Sequence, residues 1–197
     1  MIETREKILQ AMFRDVHRNG FQGLRTERVI GDMKVTKGAF YHYFNSKDAV
    51  GLAIIDEIIE PNYLKFYRDL DIFDGNPIDM LQFHLKDLAR IATDDDITLG
   101  CPLNNLVQEM TPIHDDFHTK LKGIVEKMHQ SVAQSLERGK LRKFVKEEID
   151  TEAVAYFYIS GIEGSYGMAK VHRSADAFKL SMTQLSNYLQ ILRGRKK

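Results

Sequence analysis

The sequence lacks several features that would define other classes of protein. It contains no tryptophan, one cysteine and four prolines among 197 residues. One cysteine cannot form an intrachain disulfide, which is typical of proteins in a reducing cytosol. No apolar run approaches the roughly 18 residues of a membrane span, and charged residues precede the first hydrophobic stretch, which argues against a signal peptide. We therefore expect a cytoplasmic protein without a membrane segment.

The composition is that of a globular chain. Hydrophobic residues make up 43% of it, and it has 13 glycines. Such a chain can bury a core and is neither disordered nor fibrous. Its length fits one large domain, or a small domain of about 50 residues joined to a larger one.

Charge is balanced overall, with 28 basic and 28 acidic residues, and this balance argues against a nucleic-acid partner. The distribution changes that inference. Residues 1–48 carry nine Lys and Arg against six Asp and Glu, whereas residues 49–192 carry fifteen against twenty-two. Residues 193–197 add four basic side chains. The window 34–47 has three lysines and no carboxylate, so a polyanion is expected to bind there.

Hydrophobic spacing predicts α-helices almost throughout and no convincing β-strand, so the predicted fold class is all-α. A loop is predicted from Thr93 to Cys101, and Gly139 is predicted to end a helix. The predicted helices are 4–19, 26–33, 37–43, a long helix after the Ser46 cap that bends at Pro61, 78–93, 102–110, 113–138, 151–172 and 175–192.

The second and third helices, joined by Lys34-Val35-Thr36, form a predicted helix-turn-helix, in which the second helix enters the major groove of DNA. Helical spacing places four residues of the third helix on one polar face and four mostly on the opposite, packed face. The polar set is Lys37, Gly38, Tyr41 and His42, and the packed set is Ala39, Phe40, Tyr43 and Phe44. The alternative is a helical hairpin of structural use only.

The polar face has the chemistry of a DNA contact. Thr36 can cap the helix and donate to a phosphate, and Lys37 can reach a guanine edge or a phosphate. Gly38 permits close approach of the backbone, and Tyr41 can bond a phosphate or pack on a thymine methyl.

Residues 4–52 resemble the N-terminal DNA-binding domain of the TetR (tetracycline repressor) family of bacterial transcriptional regulators. The resemblance lies in Val35–Phe44, in Ser46–Ala49 and in Asn19-Gly20-Phe21. It implies an N-terminal three-helix helix-turn-helix domain, here residues 1–48. The rest, residues 49–197, is similar in layout to the larger helical bundle that binds an effector and dimerises in this family.

Three positions depart from the family pattern. Lys34 stands where a turn glycine is usual, which predicts a positive φ at some strain. Gly31 lies inside the second helix, and Arg25 replaces a small hydroxyl cap, so that Arg25 or Thr26 is expected to supply the phosphate contact. The complete predicted DNA-binding set is Arg25, Thr26, Thr36, Lys37, Gly38, Tyr41, His42, Tyr43 and Lys47.

The resemblance implies a homodimer formed by the last two helices and a small-molecule effector. Small and apolar residues in 150–172 suit a two-fold interface, although they also suit packing within the chain. Candidate effector-binding residues are Phe83, His84, Cys101, Leu103, Leu106, Met110, Phe117, Met128 and Tyr158, each of which can equally be ordinary core. Cys101 precedes a predicted helix start, which favours thiolate and suggests an electrophile or oxidant sensor. The alternative is a small buried hydrophobe.

Other chemistry finds little support in the sequence. His114 and His118 have a spacing that can chelate a metal, but no third ligand is evident, so no metal or cofactor is predicted. Without a phosphate-binding glycine loop or a nucleophile elbow, an enzyme is not expected. We predict a dimeric, sequence-specific transcriptional regulator, a repressor released from double-stranded operator DNA by an effector. The alternatives are an architectural DNA-binding protein and a ligand-binding bundle with a degenerate DNA-binding end.

Overall fold

A computed structural model describes residues 4–194 as a helical protein, with no β-strand in that range. The all-α prediction is confirmed. The helices are α1 (Thr4–Asn19), α2 (Thr26–Asp32), α3 (Lys37–Tyr43), α4 (Lys47–Ile54), α5 (Glu60–Ile72), α6 (Pro77–Ile91), α7 (Asp94–Leu99), α8 (Pro102–Met110), α9 (Asp115–Leu141), α10 (Thr151–His172) and α11 (Ala175–Ile191).

The chain folds into two compact units that alternate along the sequence. The first unit consists of residues 4–62 and 102–123, and the second of residues 63–101 and 124–194. The helices α8 and the start of α9 therefore belong to the unit that contains the N-terminal helices. The predicted domains are a DNA-binding domain of residues 1–48 and an effector-binding and dimerisation domain of residues 49–197. This division follows function rather than compactness, and it stays a prediction.

The first unit is organised around α1. Its apolar residues recur at helical spacing and are buried, and the helix packs against α2, α3 and α4. Phe40 and Phe44, which the sequence assigns to the packed face of α3, are 1% and 3% exposed. Tyr43 was assigned to the same face but is 39% exposed, so this part of the face assignment is wrong. Residue 43 is the last of the short helix α3, where the chain leaves the core.

Local capping explains where the helices α3 and α4 of the first unit begin. Thr36 Oγ1 accepts a hydrogen bond from Ala39 N at 3.2 Å, and Ser46 Oγ accepts one from Ala49 N at 3.0 Å, as side chains at an N-cap do. Lys34 has a φ of 56°, which confirms the left-handed turn predicted at that position. The turn between α2 and α3 is thus fixed by a strained lysine and a threonine cap.

The bend predicted at Pro61 takes the form of a π-helical segment. Residues Ile55–Ile59 form this segment between α4 and α5, directly before the proline. Proline has no N–H to donate and its ring crowds the preceding turn, and an inserted residue in a π-turn accommodates both effects.

Two further sequence predictions are wrong. The segment from Thr93 to Cys101 contains the helix α7, because Thr93 caps it and three aspartates lie in its first turn, where the helix dipole favours them. Gly139 does not end its helix, which continues to Leu141. A side chain at Gly139 would meet Pro77 and Val145 within 2.8 Å, so this glycine permits close packing instead.

In the second unit, α11 packs against both α6 and α10. Gln82 of α6 is 7% exposed, and its Nε2 donates to the Ser186 carbonyl of α11 at 2.8 Å. The basic C-terminal segment begins here with Arg193, which pairs with Asp79. Residues 195–197 of that segment lie outside the described residues.

Candidate nucleic-acid interface and regulatory site

The predicted DNA-binding residues lie mostly on the exposed side of α2, the turn and α3. Tyr41 is 53% exposed, and Tyr43 joins it at the surface. Thr26 and Lys47 are half-buried, and the exposed members of the set are Arg25, Thr36, Lys37, Gly38, Tyr41, His42 and Tyr43. A Cβ at Gly38 would meet nothing within 4 Å, so the backbone of α3 is open to a ligand at this point. The helix-turn-helix therefore presents a polar and aromatic surface.

An acidic side chain lies on this surface. Glu27 of α2 accepts a hydrogen bond from Lys37 Nζ of α3 at 2.6 Å, and the side chains are 67% and 64% exposed. This hydrogen bond raises the pKa of Lys37 above its usual value. The sequence window 34–47 contains no acidic residue. In the folded chain, α2 brings Glu27 next to Lys37 of this window, and the residues of the window alone could not predict that contact.

Two further cations of the interface have partners within the first unit. Arg28 forms an ion pair with Asp15 of α1. Lys47 Nζ donates to the carbonyl of Gln22 at 3.1 Å and lies 5.0 Å from the centre of the Phe21 ring. These contacts hold α2 and the start of α4 on the end of α1.

A carboxylate from α8 binds the backbone that follows α1. Glu109 accepts hydrogen bonds from Phe21 N at 2.8 Å and from Gln22 N at 2.7 Å. The preceding Gly20 has a φ of +77°, and a Cβ there would lie 3.0 Å from both carboxylate oxygens. The sequence analysis missed Glu109, although it is the only charged residue of α8.

The start of α9 adds apolar and ionic contacts within the same unit. Phe117 packs on Phe21, with the ring centres 4.7 Å apart, and a side chain at Gly51 of α4 would collide with both rings. Lys120 Nζ bonds the carboxylate of Asp56 at 2.7 Å. Four of the predicted effector-binding residues are buried in this unit, namely Leu103, Leu106, Met110 and Phe117.

The second unit brings together two other predicted effector-binding residues. His84 Nδ1 lies 2.8 Å from the hydroxyl of Tyr158, which donates to the Leu81 carbonyl at 3.3 Å. The His84 ring stacks on Phe66 with a centroid separation of 3.7 Å. Burial lowers the pKa of His84 to about 4, so the imidazole is neutral at physiological pH.

Cys101 has two polar neighbours in the second unit. Its Sγ lies 3.0 Å from the hydroxyl of Tyr63, and its thiol forms a hydrogen bond with Glu163. Burial raises the pKa of Glu163 to about 7, and the bond from Cys101 partly opposes this effect. The second carboxyl oxygen, Oε2, is buried without a hydrogen-bond partner. Burial also raises the pKa of Tyr63 and of Tyr166.

This environment differs from the one that the sequence suggests for Cys101. Reactive cysteines lie in partly exposed, electropositive surroundings, whereas Cys101 is 1% exposed and lies beside a carboxyl group. Glu163 is the only charged residue from 153 to 169, and an isolated acid in such a stretch is the signal that the sequence offers for this cluster. Of the two remaining candidates, Met128 is 3% exposed and Phe83 is 61% exposed.

Several large apolar side chains are exposed on the helices α10 and α11. Added side chains at Gly164 and Gly167 would meet nothing within 4 Å. In contrast, Ala155, Ile159 and Ile162 are buried within the chain. The large apolar side chains that are at least half exposed on the two helices are Tyr156, Phe157, Met168, Val171, Leu180 and Ile191.

Two other kinds of site are absent from the described part of the chain. Residues 4–194 contain no group of three or more histidine, cysteine or acidic side chains placed to hold a metal ion. None of their helices combines the length and apolar character needed to cross a membrane.

Comparison with known proteins identifies the architecture. Residues 77–185 match the model of the tetracyclin repressor-like C-terminal domain, and residues 8–54 match that of bacterial regulatory proteins of the tetR family. The chain belongs to the TetR family. The predicted family is therefore confirmed, and so is the order of a helix-turn-helix domain followed by a helical ligand-binding domain. The chain is a DNA-binding transcriptional regulator, and dimerisation and release by an effector are typical of TetR regulators.

Curated relatives and solved structures are similar over most of their length. The transcriptional regulator AcuR of Cereibacter sphaeroides is 26% identical over 87% of this chain and 78% of its own. The HTH-type transcriptional repressor NemR of Escherichia coli (strain K12) is 24% identical over 95% and 94%. The crystal structure of E. coli NemR in its reduced form has a TM-score of 0.78 over 98% of both chains at 21% identity. A TetR-family regulator from Cytophaga hutchinsonii has a TM-score of 0.82 over 98% and 96% at 20% identity. TetR-family regulators are generally not enzymes.

Proposed function

We propose that this TetR regulator is a cytoplasmic, non-enzymatic repressor that binds an operator through the exposed surface of α2 and α3 and leaves it when an effector binds. The observation that carries the proposal is the surface of α3. Lys37, Gly38 and Tyr41 lie exposed on one side, over a core formed by Phe40 and Phe44. The repressors NemR and DhaR among the relatives support the direction of regulation.

The chemistry of that surface supports contact with both bases and phosphates. The backbone at Gly38 is open, so α3 can approach a base edge closely. The Tyr41 hydroxyl can donate to a phosphate, and His42 is exposed beside it. Arg25 precedes α2 and is exposed, so its guanidinium can reach a phosphate.

The double variant Lys37→Ala/Tyr41→Ala tests the DNA-binding proposal. A duplex that the wild-type protein enriches from a random pool serves as the probe in a fluorescence anisotropy titration. Loss of two contacts is expected to weaken binding by about 2 to 4 kcal/mol, or roughly 30-fold or more. Lys65→Ala, which removes an exposed lysine of α5, should leave the affinity within about twofold. Equal affinity of the double variant and the wild type would refute this assignment of the contacts.

A homodimer fits both the surface and the task. We assign the exposed apolar side chains of α10 and α11 to a two-fold interface, because an apolar surface of this kind on a monomer marks a site of association. Gly164 and Gly167 have no side chains that protrude from the surface of α10, so a second helix can approach it closely. Two recognition helices are then available for half-sites about 34 Å apart.

We place the effector in the second unit, beside the polar groups buried there. His84 with Tyr158, and Cys101 with Tyr63 and Glu163, are the clusters that a small molecule with polar groups would contact. The relative whose structure is named a reduced form, NemR, supports a role for thiol chemistry at Cys101. Effector binding would then favour a dimer whose recognition helices no longer fit the half-sites.

The single cysteine makes the thiol hypothesis directly testable, because Cys101 is the only thiol of the chain that an alkylating reagent can modify. We expect N-ethylmaleimide to modify the folded protein more slowly than a free thiol, since the side chain is buried, and to reduce operator affinity once modification is complete. Mass spectrometry measures the modification and anisotropy the affinity, and Cys101→Ala is the control for the reagent. Full modification with unchanged affinity would eliminate Cys101 as a sensor.

A further inference from the structure

We propose that Glu27 and Lys37 form a base-reading pair, in which the Glu27 carboxylate selects a cytosine in the operator by accepting a hydrogen bond from its N4 amino group. The inference rests on the proposed operator-binding function. It adds a residue of α2 to the DNA-contacting surface, and it assigns to that residue the recognition of one base rather than general affinity for DNA.

The pair joins the first turns of the two helices of the helix-turn-helix. Glu27 is the second residue of α2, and Lys37 is the first residue of α3. Their side chains meet at 2.6 Å, and each remains about two-thirds exposed. The neighbouring cation of α2, Arg28, pairs with Asp15 instead, so Lys37 is the cation that Glu27 holds on this surface.

An exposed carboxylate on a DNA-binding surface can interact favourably with only a few groups of the duplex. Phosphate oxygens are acceptors and carry negative charge, so they repel Glu27. In the major groove the only donors are the amino groups of cytosine N4 and adenine N6. The contact open to Glu27 is therefore a base contact, whereas Lys37 can also bind phosphates.

Of the two amino groups, the cytosine N4 group suits a carboxylate better. Adenine presents the acceptor N7 beside its N6 donor, and that acceptor repels the second oxygen of a carboxylate. Cytosine itself presents only a donor in the groove, and the O6 acceptor of its paired guanine lies on one side of that donor only. Lys37, held 2.6 Å from Glu27, carries donors only, and the O6 and N7 acceptors of a nearby guanine match it.

The same pair limits binding to unrelated DNA. At a site without a suitably placed cytosine, Glu27 has no base partner, and part of the charge of Lys37 is neutralised by Glu27 rather than by a phosphate. Removing the carboxylate charge should strengthen non-specific binding and make it more dependent on salt, because one more cation then displaces counterions.

The test compares the wild type with Glu27→Gln, each used to enrich duplexes from a random pool. We expect the wild-type pool to carry a fixed cytosine at one position of each half-site, and the Glu27→Gln pool to lose it or to carry adenine, which a glutamine amide matches. On single duplexes, replacing that cytosine by thymine should weaken wild-type binding by roughly 10-fold or more and variant binding by less than about threefold.

A matched control separates base reading from net charge. Glu148→Gln makes the same chemical change at an exposed position after α9 and should keep the cytosine preference of the wild type. If Glu27→Gln retains that preference and binds scrambled duplexes with unchanged affinity, the inference is wrong while operator binding stands. If the wild type enriches no sequence at all, the proposed function fails, and the inference fails with it.

Discussion

The groups that we propose for ligand binding lie in different surroundings in the two compact units. In the first unit, ion pairs such as Glu27 with Lys37 lie at the surface, where water screens them and a polyanion can compete for either partner. The second unit also has ion pairs at its surface, but His84 and Glu163 are half-buried there, and this burial shifts the pKa of each toward the neutral form. In our proposal, the exposed charges serve recognition of DNA, and the half-buried, neutral groups serve recognition of a small molecule whose contacts replace water.

The contrast has a thermodynamic consequence within the second unit. The pKa of His84 is lowered from 6.5 to about 4, and that of Glu163 is raised from 4.5 to about 7. Between pH 4 and 6.5 the folded chain binds fewer protons at His84 than the unfolded chain, so this contribution to stability rises with pH. Between pH 4.5 and 7 the folded chain binds more protons at Glu163, so that contribution falls with pH. The two effects largely cancel.

Removing either of these two titratable groups should leave the pH dependence of stability that the other one contributes. This is the largest effect that we predict. The variant Glu163→Gln should gain stability relative to the wild type as pH rises from 4.5 to 7, by about 3 kcal/mol. His84→Asn, which keeps a polar atom near Nδ1, should lose a similar amount between pH 4 and 6.5. Urea unfolding followed by circular dichroism across this pH range gives the differences, at constant protein concentration because a dimer is expected.

The control for this prediction lies at the surface of the same unit. Glu148→Gln, in an exposed segment, should give a stability curve parallel to that of the wild type. Parallel curves for Glu163→Gln and His84→Asn as well would show that neither group is as deeply buried as the structure places it, and the contrast between the two units would then lose its basis.

The sequence predicted the first unit better than the second because its signals are local. The caps at Thr36 and Ser46, the turn at Lys34 and the exposed side of α3 each depend on residues within about four positions. The contacts of the second unit join residues far apart in sequence, such as His84 with Tyr158, 74 residues apart. The sequence analysis named both residues as candidate effector-binding residues but could not pair them.

The contacts of the first unit that the sequence did not predict also join residues from separate segments of the chain. The acid-free window at 34–47 could not reveal Glu27, which a separate helix brings to Lys37. Nor could a pattern in α8 reveal that Glu109 binds the backbone 88 residues away. An isolated charged residue is the signal that the sequence offers, although it identifies no partner. Glu109 is the only charged residue of α8, and Glu163 is the only one between residues 153 and 169.

Glu109 provides the second prediction, because its carboxylate binds two backbone N–H groups of the first unit, whereas the Glu27 carboxylate of that unit forms an exposed ion pair. Both oxygens accept backbone N–H groups at the end of α1. Glu109→Gln replaces one acceptor by an amide donor that faces an N–H group, so we expect a loss of about 2 kcal/mol in the free energy of unfolding. Urea titration at neutral pH measures it.

The surface pair supplies the comparison for this prediction. Glu27→Gln removes an ion pair that water already screens, and it should change the stability by well under about 1 kcal/mol. A large loss for Glu109→Gln beside a small one for Glu27→Gln would show that α8 holds the end of α1 in place, while the pair at the DNA-facing surface is free to exchange its partner for a base. Equal losses in the free energy of unfolding would mean that the Glu109 carboxylate is as well solvated as Glu27. In that case Glu109 would not stabilise the packing of α8 against the N-terminal helices.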